Sequence, residues 1–541
     1  MLFDASTTVL IVDDAITVRE GLRSMLGMVE ITRAESVASA GEARSRLKNR
    51  SYDVVLCDYH LGEGMNGQEL LEEMRREGLL PFRTIWIMIT GERKYERVVA
   101  AAEMAPDDYI LKPFTSNSLM ERLHAAGERK AFLKPAHELL ERGKVEQAIE
   151  VLAELAGRND APYEHRLDAQ RLRAELLISI GRQYEALDIY LSLLSQRIIP
   201  WARMGVARIY SADGKLEEAN ELLRGIIDDA PLYTDAYDLL AKNLNTEGEY
   251  SDALEVLEMA VGISPRNLSR LHSCGMTALR SGSPEKGAYY LHKAVELSRN
   301  TTLFGPELLA DLLMAVSASG DVAAVEKVQA EITGLLRGGV EDAFLQHICQ
   351  VLGMIARDKY DDAYARLCSL EEELSSPWID LKLALRFLDA VLRLPLTLAE
   401  APAVGWARQI TLRFVQGRMD LTEALEVVRC NPACRTAVED AYNSLHELNN
   451  RAAELASAGR VAEAAAMLFE AAMNSHNVRA GMNACALLLK VYEERKRKHQ
   501  PAVEYEYNIQ ALLAWLPRSN ERVKGFWMRL QAASGEQSDV L

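Results

Sequence analysis

Four short apolar runs near the start of the chain, Thr8–Val12, Val54–Cys57, Thr84–Ile89 and Tyr109–Leu111, are separated by segments with helical spacing. Strands alternating with helices predict a parallel sheet with crossover helices, and so an α/β doubly wound domain. Such sheets bind ligands in the crevice at the carboxyl ends of their strands. Asp13 and Asp14 follow the first run, Asp58 the second, Thr90 the third and Lys112 the fourth. Three carboxylates, a hydroxyl and an ammonium are therefore expected to converge at one edge. Clustered carboxylates repel and stay ionised together only when a cation joins them. An all-oxygen ligand set suits Mg2+, which keeps several waters and also binds phosphate oxygens. A carboxylate can attack phosphorus and carry an aspartyl-phosphate, while a lysine and a metal neutralise the phosphoryl oxygens.

The stretches VLIVDDAITVREGL, DVVLCDYHLGEGMNGQELL, IWIMITGE and DDYILKPFTSNSL carry a resemblance. Residues 6–125 resemble the CheY-like receiver domain of two-component response regulators, a flavodoxin-like fold. The resemblance implies that Asp58 is the phosphoacceptor and that Asp13 and Asp14 hold Mg2+ with it. It implies a further metal ligand in the carbonyl of His60. It makes Thr90 the switch hydroxyl, Tyr109 the switch aromatic and Lys112 the lysine that pairs with the phosphoryl group. The donor it implies is a sensor histidine kinase or a phosphotransfer protein, in a bacterial setting. The loop from Tyr59 to Gly67, YHLGEGMNG, departs from the family pattern. It lacks the usual proline and is one residue longer, which bears on the rates of phosphorylation and phosphate loss.

The 541 residues exceed one core, so two to four domains are expected. Hydrophobic residues make up 49% but aromatics only 6%, a bias toward Ala and Leu that suits a mostly helical remainder. Net charge is −17. The first 125 residues, with 15 Lys and Arg against 20 Asp and Glu, contribute −5 and leave −12 to the rest. Neither part has the basic field of a nucleic-acid-binding protein, so no nucleic-acid partner is expected. The run Arg495-Lys496-Arg497-Lys498 adjoins Glu493 and Glu494 and reads as a solvated helix end. No apolar run reaches the roughly 18–20 residues of a membrane span. The first residues lack a basic signal-peptide region and turn acidic at once. A cytoplasmic location is therefore expected, with seven cysteines as free thiols. Cys430 and Cys434 are the only close pair and have no matching Cys or His pair for zinc.

Beyond residue 128 a second signal replaces the first. Gly181, Gly214, Gly248 and Gly282 are spaced by 33, 34 and 34 residues, each followed five residues on by a small residue. A period near 34 marks helix–turn–helix repeats that stack into a solenoid. These segments resemble tetratricopeptide (TPR) repeats, most clearly over 167–300. In 234–267, Tyr237, Leu240, Ala241 and Leu244 fall on a first helix and Gly248 on the turn. Tyr250, Ala253, Leu257 and Ala260 fall on a second helix, which Pro265 ends. Small residues such as Ala207, Gly275 and Gly287 allow close helix approach. An all-α TPR-type array is expected over 129–533, in nine or ten helical pairs, with a disordered tail at 534–541. The stretch 376–418, with Pro377, Pro395 and Pro402, reads as helices with irregular joints. Trp201, Tyr237 and Tyr289 read as packing between repeats.

The array shows no P-loop, no GxSxG and no metal-and-nucleotide domain, so no enzymatic output is expected. Its concave face would offer a groove to a protein partner. The expected function is phosphorelay signal transduction in which phosphorylation of Asp58 switches protein binding by the array; a homodimer stays open. The alternative is a TPR scaffold that works without phosphorylation, with the receiver as a docking module.

Overall fold

The computed structural model describes residues 3–62, 66–91, 106–195, 197, 199–231, 233–299, 304–336, 338–376, 378–517 and 520–534. They divide into two compact units, Met1–Leu297 and Ser298–Leu541. The first opens with five parallel strands: β1 (Thr8–Val12), β2 (Arg33–Val37), β3 (Val54–Asp58), β4 (Ile85–Thr90) and β5 (Asp108–Leu111). They lie in the order β2-β1-β3-β4-β5; the parallel sheet is what the alternating pattern predicts, and its flavodoxin-like order is what the receiver resemblance implies. Successive side chains point to opposite faces. Leu10, Val12, Val55, Cys57, Trp86 and Met88 build one core with helices α2 (Ala40–Asn49) and α3 (Gly67–Arg76), while α1 (Ile16–Gly27) packs on the opposite face. Val9, Ile11, Val54, Leu56, Ile85, Ile87, Ile89 and Ile110 build the other.

Strand β2 has no counterpart among the four predicted runs. Its sequence, RAESV, is mostly polar, and only Val37 is buried, because β2 lies at the sheet edge. The sequence also reads as a helix near Lys94–Met104, a segment outside the described residues, as are Pro377 and residues 535–541 of the tail.

Helix α4 (Ser116–Glu141) departs from expectation. Read from the sequence, this stretch is a helix over 117–127 followed by about ten residues, including Pro135, before the first repeat. One 26-residue helix instead runs through both. Thr115 caps it: its hydroxyl accepts from the Ser118 amide, and the Ser118 hydroxyl accepts from the Thr115 amide. An interior proline costs about 3 kcal/mol. Burial of Leu133 and Ala136 with Ala148, Leu152, Leu155 and Ala169 offsets that cost.

Antiparallel helical hairpins follow. In the first unit they comprise α5 (Val145–Ala156), α6 (Tyr163–Ser179), α7 (Gln183–Leu194), α8 (Pro200–Ala212), α9 (Leu216–Asp229), α10 (Thr234–Glu247), α11 (Tyr250–Ile263), α12 (Leu268–Arg280) and α13 (Pro284–Ser298). Gly248 ends α10 with φ of +84°, where its amide donates to Asn245 O and that of Glu249 to Leu244 O. Such a left-handed cap favours glycine. At Gly275 a methyl group would stand 2.5 Å from Leu291 Cγ, so only hydrogen lets α12 and α13 pack this closely. Tyr237 is buried, and its hydroxyl donates to Pro231 O at 2.9 Å. Trp201 lies edge-on to Tyr190. Tyr289 differs from the packing expectation: it is 54% exposed, with Lys293 over its ring.

The second unit continues in helices to Glu521–Ser534. Pro395 stands just before the helix Leu396–Phe414, and Pro402 lies inside it. Arg386 and Asp311, both buried, pair at 2.6 Å between the helices Leu381–Leu392 and Pro306–Ala318. All seven cysteines are free; Cys430 is exposed and Cys434 buried. Arg495 lies over Tyr505, and Lys498 pairs with Glu494, as a solvated helix end would.

His137 lies where α4 leaves the sheet. Its ring stacks on Phe82. Burial, with the Lys130 ammonium adding, holds its pKa down to about 3. The unfolded chain takes up that proton near pH 6.5. The contribution of neutral His137 is therefore complete above pH 6.5 and is lost as pH falls toward 3. A His137→Leu protein should lose about 2 kcal/mol less stability than the wild type between pH 7 and 5. Thermal unfolding of both proteins at matched pH measures this, and parallel declines would contradict it.

Candidate functional site

Strand register builds the site. Val12 pairs with Cys57, so Asp13 and Asp58 emerge side by side from β1 and β3. Asp58 pairs with Ile89, and Thr90 with Leu111, which brings Thr90 and Lys112 to the same edge. The amide of Lys112 donates to Thr90 O at 2.8 Å, and that of Tyr59 to Ile89 O at 2.8 Å. The carboxylates of Asp13, Asp14 and Asp58 can each direct an oxygen to within 4.8 Å of the others. Asp13 and Asp58 are buried, and Asp14 is exposed. Lys112 Nζ donates to Asp13 Oδ2 at 3.0 Å and to Asp58 Oδ2 at 2.9 Å.

This charge set is unbalanced. Among the described residues three carboxylates face the Lys112 ammonium, leaving about two negative charges that a divalent cation would neutralise. Burial pushes the Asp58 carboxyl up, and Asp13 adds to the rise, while Lys112 pulls it down. Burial lowers the Lys112 ammonium, but hydrogen bonds to Asp58 and Asp13 outweigh it and leave the pKa raised. Both directions describe a site that is too negative and holds its lysine firmly charged. The donors are all oxygens and one of them is solvent-exposed, so they fit a hard cation such as Mg2+ that keeps its waters.

The other predicted residues sit around this centre. Thr90 is fully buried at the end of β4. Tyr109 lies half-buried on β5, with the Arg122 guanidinium of α4 5.7 Å from its ring centroid. His60 is exposed two residues after Asp58, its ring edge-on to Tyr59. Of the unusual loop, residues 63–65 lie outside the described residues.

Two supporting residues escaped the sequence reading. Arg19 Nη1 donates to the carbonyls of Asp13 at 2.6 Å and Asp14 at 2.9 Å, which fixes the acidic turn from α1. Its position one helical turn beyond the pair was the available signal. Gly67 was visible only as the end of the loop. A methyl group there would lie 2.2 Å from Asp58 O and 2.9 Å from Cys57 Sγ. Its amide also donates to Tyr59 O at 2.8 Å. A Gly67→Ala substitution must therefore displace the Asp58 backbone. It is expected to cost about 1–3 kcal/mol and to slow labelling of Asp58 by acetyl phosphate. Unfolding curves and labelling rates that match the wild type would contradict this packing.

The family model described as the response regulator receiver domain matches residues 9–124. Chemotaxis protein CheY-3 of Vibrio cholerae is 31% identical over 128 residues, covering 24% of this chain and 97% of that protein. Chemotaxis protein CheY of Pseudomonas aeruginosa is 29% identical over 121 residues, covering 22% of this chain and 96% of its own length. A CheY-like receiver domain structure from Methanospirillum hungatei is 28% identical, covers 23% of this chain and 96% of its own, and has a TM-score of 0.21. Taken with the sheet order and the acidic edge, the match over residues 9–124 and the relative covered almost end to end mean that, through its N-terminal domain, the chain belongs to the response regulator receiver family.

Proposed function

We propose that this chain is a phosphorelay response regulator whose output is protein binding by a TPR-type array. The observation that carries the proposal is Lys112 held between Asp13 and Asp58 beside a cluster of three carboxylates. Asp58 Oδ accepts a phosphoryl group from the imidazole of a histidine kinase or phosphotransfer protein. The P–N bond breaks as the P–O bond forms, and the departing imidazole nitrogen takes a proton from solvent, since the attacking carboxylate has none to give. Asp13, Asp14, Asp58 and the His60 carbonyl would hold Mg2+, which when bound neutralises phosphoryl oxygens. Lys112 releases Asp58 and pairs with another of those oxygens. Thr90 donates its hydroxyl to a third, and Tyr109 moves into the space beside it. These shifts redistribute two pre-existing states of the β5 and α4 face rather than pushing it mechanically.

The array supplies no chemistry in this reading. Its hairpins, with left-handed glycines at the period of the sequence pattern, support the TPR assignment. A stacked array offers an extended surface to protein partners, and an acidic chain is a poor ligand for nucleic acid. The setting proposed is the cytoplasm, and among the described residues no helix is long and apolar enough to cross a membrane. A second reading is a phosphorylation-independent TPR scaffold in which the receiver is only a docking module; the packing of α4 on both the sheet and the first hairpins, which needs no phosphoryl group, supports it.

Labelling with radioactive acetyl phosphate is expected to require Mg2+ and to vanish in Asp58→Asn; chelator-resistant label, or label retained in that variant, would remove the reading. Thr90→Ala should still accept phosphate but lose the change in partner affinity that phosphorylation brings. For the wild type that change should be on the order of 1–3 kcal/mol. Titration of a captured partner with both forms measures it. Equal affinities in the wild type would favour the scaffold.

A further inference from the structure

The junction between receiver and array holds more charge than a passive joint needs. Asp108 begins β5, next to Tyr109, and is buried. Its oxygens are divided between two arginines of α4: Arg122 Nη1 stands 3.3 Å from Oδ1, and Arg129 Nη2 stands 3.8 Å from Oδ2. Arg129 also donates to the Asp107 carbonyl, and its Nε lies 3.9 Å from Asp168 on α6. Arg122 in turn rests against the ring of Tyr109. Beside this set, Lys130 donates to the carbonyls of Phe82 and Thr84 and pairs with Asp107 at 3.1 Å. Phe82 itself packs into the first core of the array.

Lys130 and Phe82 fix the joint, whereas Arg129 is shared. At 3.8 and 3.9 Å it is close to neither Asp108 nor Asp168, so small shifts decide which carboxylate it favours. A buried carboxylate must keep a cationic partner. Loss of Arg122 from Asp108 would therefore draw Arg129 toward the sheet and away from α6.

We propose that phosphorylation is passed to the array through this shared arginine, from Tyr109 to Arg122, Asp108, Arg129 and finally Asp168 on α6. The proposal rests on the reading of Asp58 as phosphoacceptor and of Tyr109 as the residue that moves. When Tyr109 turns inward, Arg122 loses the ring it rests on and its hold on Asp108 weakens. Arg129 then closes on Asp108 and releases Asp168, and α6 loosens. Two discrete pairings of one guanidinium give the two-state element that coupling between sites requires.

The test is hydrogen exchange on the full chain with Mg2+, with and without beryllofluoride as the phosphoryl mimic. In the wild type, exchange in peptides covering 163–179 should rise several-fold, together with a change in peptides covering 106–115. In Arg129→Gln the change at 106–115 should persist while the response at 163–179 disappears. Asp168→Asn, which alters a partly exposed carboxylate and leaves α4 intact, should give the same result, and Arg129→Lys should restore part of the response. A response at 163–179 that survives both Arg129→Gln and Asp168→Asn would overturn the relay. Absence of any change at 106–115 in the wild type, together with absence of acetyl-phosphate label on Asp58, would instead overturn the phosphoacceptor reading.

Discussion

The ammonium of Lys112, donated to Asp13 and Asp58 together, is the interaction on which the N-terminal domain turns. Burial and the neighbouring Asp13 both push the Asp58 carboxyl toward the neutral acid, and Lys112 opposes them. The fold places the two carboxylates there because β1 and β3 are adjacent and in register, and from the end of β5 it brings the Lys112 ammonium onto both. An incompletely neutralised carboxylate cluster suits a hard cation that brings the missing positive charge. The cost falls on the surrounding structure. Arg19 clamps the acidic turn, and Gly67 lets the next helix start against the Asp58 carbonyl without a side chain between them. Uncompensated charge at this edge is thus supported by a sheet whose remaining strand residues are largely apolar and buried.

The alternating apolar runs and the acidic pair were enough to place the central strands and the residues that converge at their ends. This legibility has a physical basis: a central parallel strand is buried on both faces and must be apolar throughout. Edge strand β2 escapes the same rule, since Arg33, Glu35 and Ser36 contact solvent or other polar groups, and nothing in RAESV marks it as a strand. Helix α4 escapes for the opposite reason. Pro135 is a local stop signal, but it sits among residues whose burial depends on α5 and α6, and tertiary packing overrides the local preference. Gly67 and Arg19 act through contacts that depend on the folded backbone, so one sequence contains only their spacing.

The glycine period was legible because each hairpin repeats one geometric demand, a left-handed residue after the first helix of the pair. What the period does not carry is which face of each helix is covered. Tyr289 and Tyr237 both sit on repeat helices, yet one is exposed and the other buried. Periodicity specifies the turn and the close contact, whereas the variable positions between them are set by neighbours the pattern does not name.

A continuous helix alters what a receiver can do to the domain that follows it. A flexible tether would let the two parts average over many poses, and a shift of an ångström at β5 would be lost. In α4 the residues that pack on the sheet, Leu119, Leu123 and Ala126, lie on the same rod as Leu133 and Ala136, which pack on the array. Displacement at one end of a helix is displacement at the other, unless the helix bends. The array beyond it is quasi-one-dimensional, each hairpin contacting chiefly its neighbours. A disturbance at α6 therefore passes outward only through successive tight contacts. One such contact is at Gly205 on α8, where a methyl group would stand 2.4 Å from the Tyr190 ring of α7. Interfaces packed this closely transmit a shift rather than absorb it. Each further interface nevertheless offers another place for relaxation. The hairpins nearest α4 are accordingly where a displacement of that helix would act with most effect.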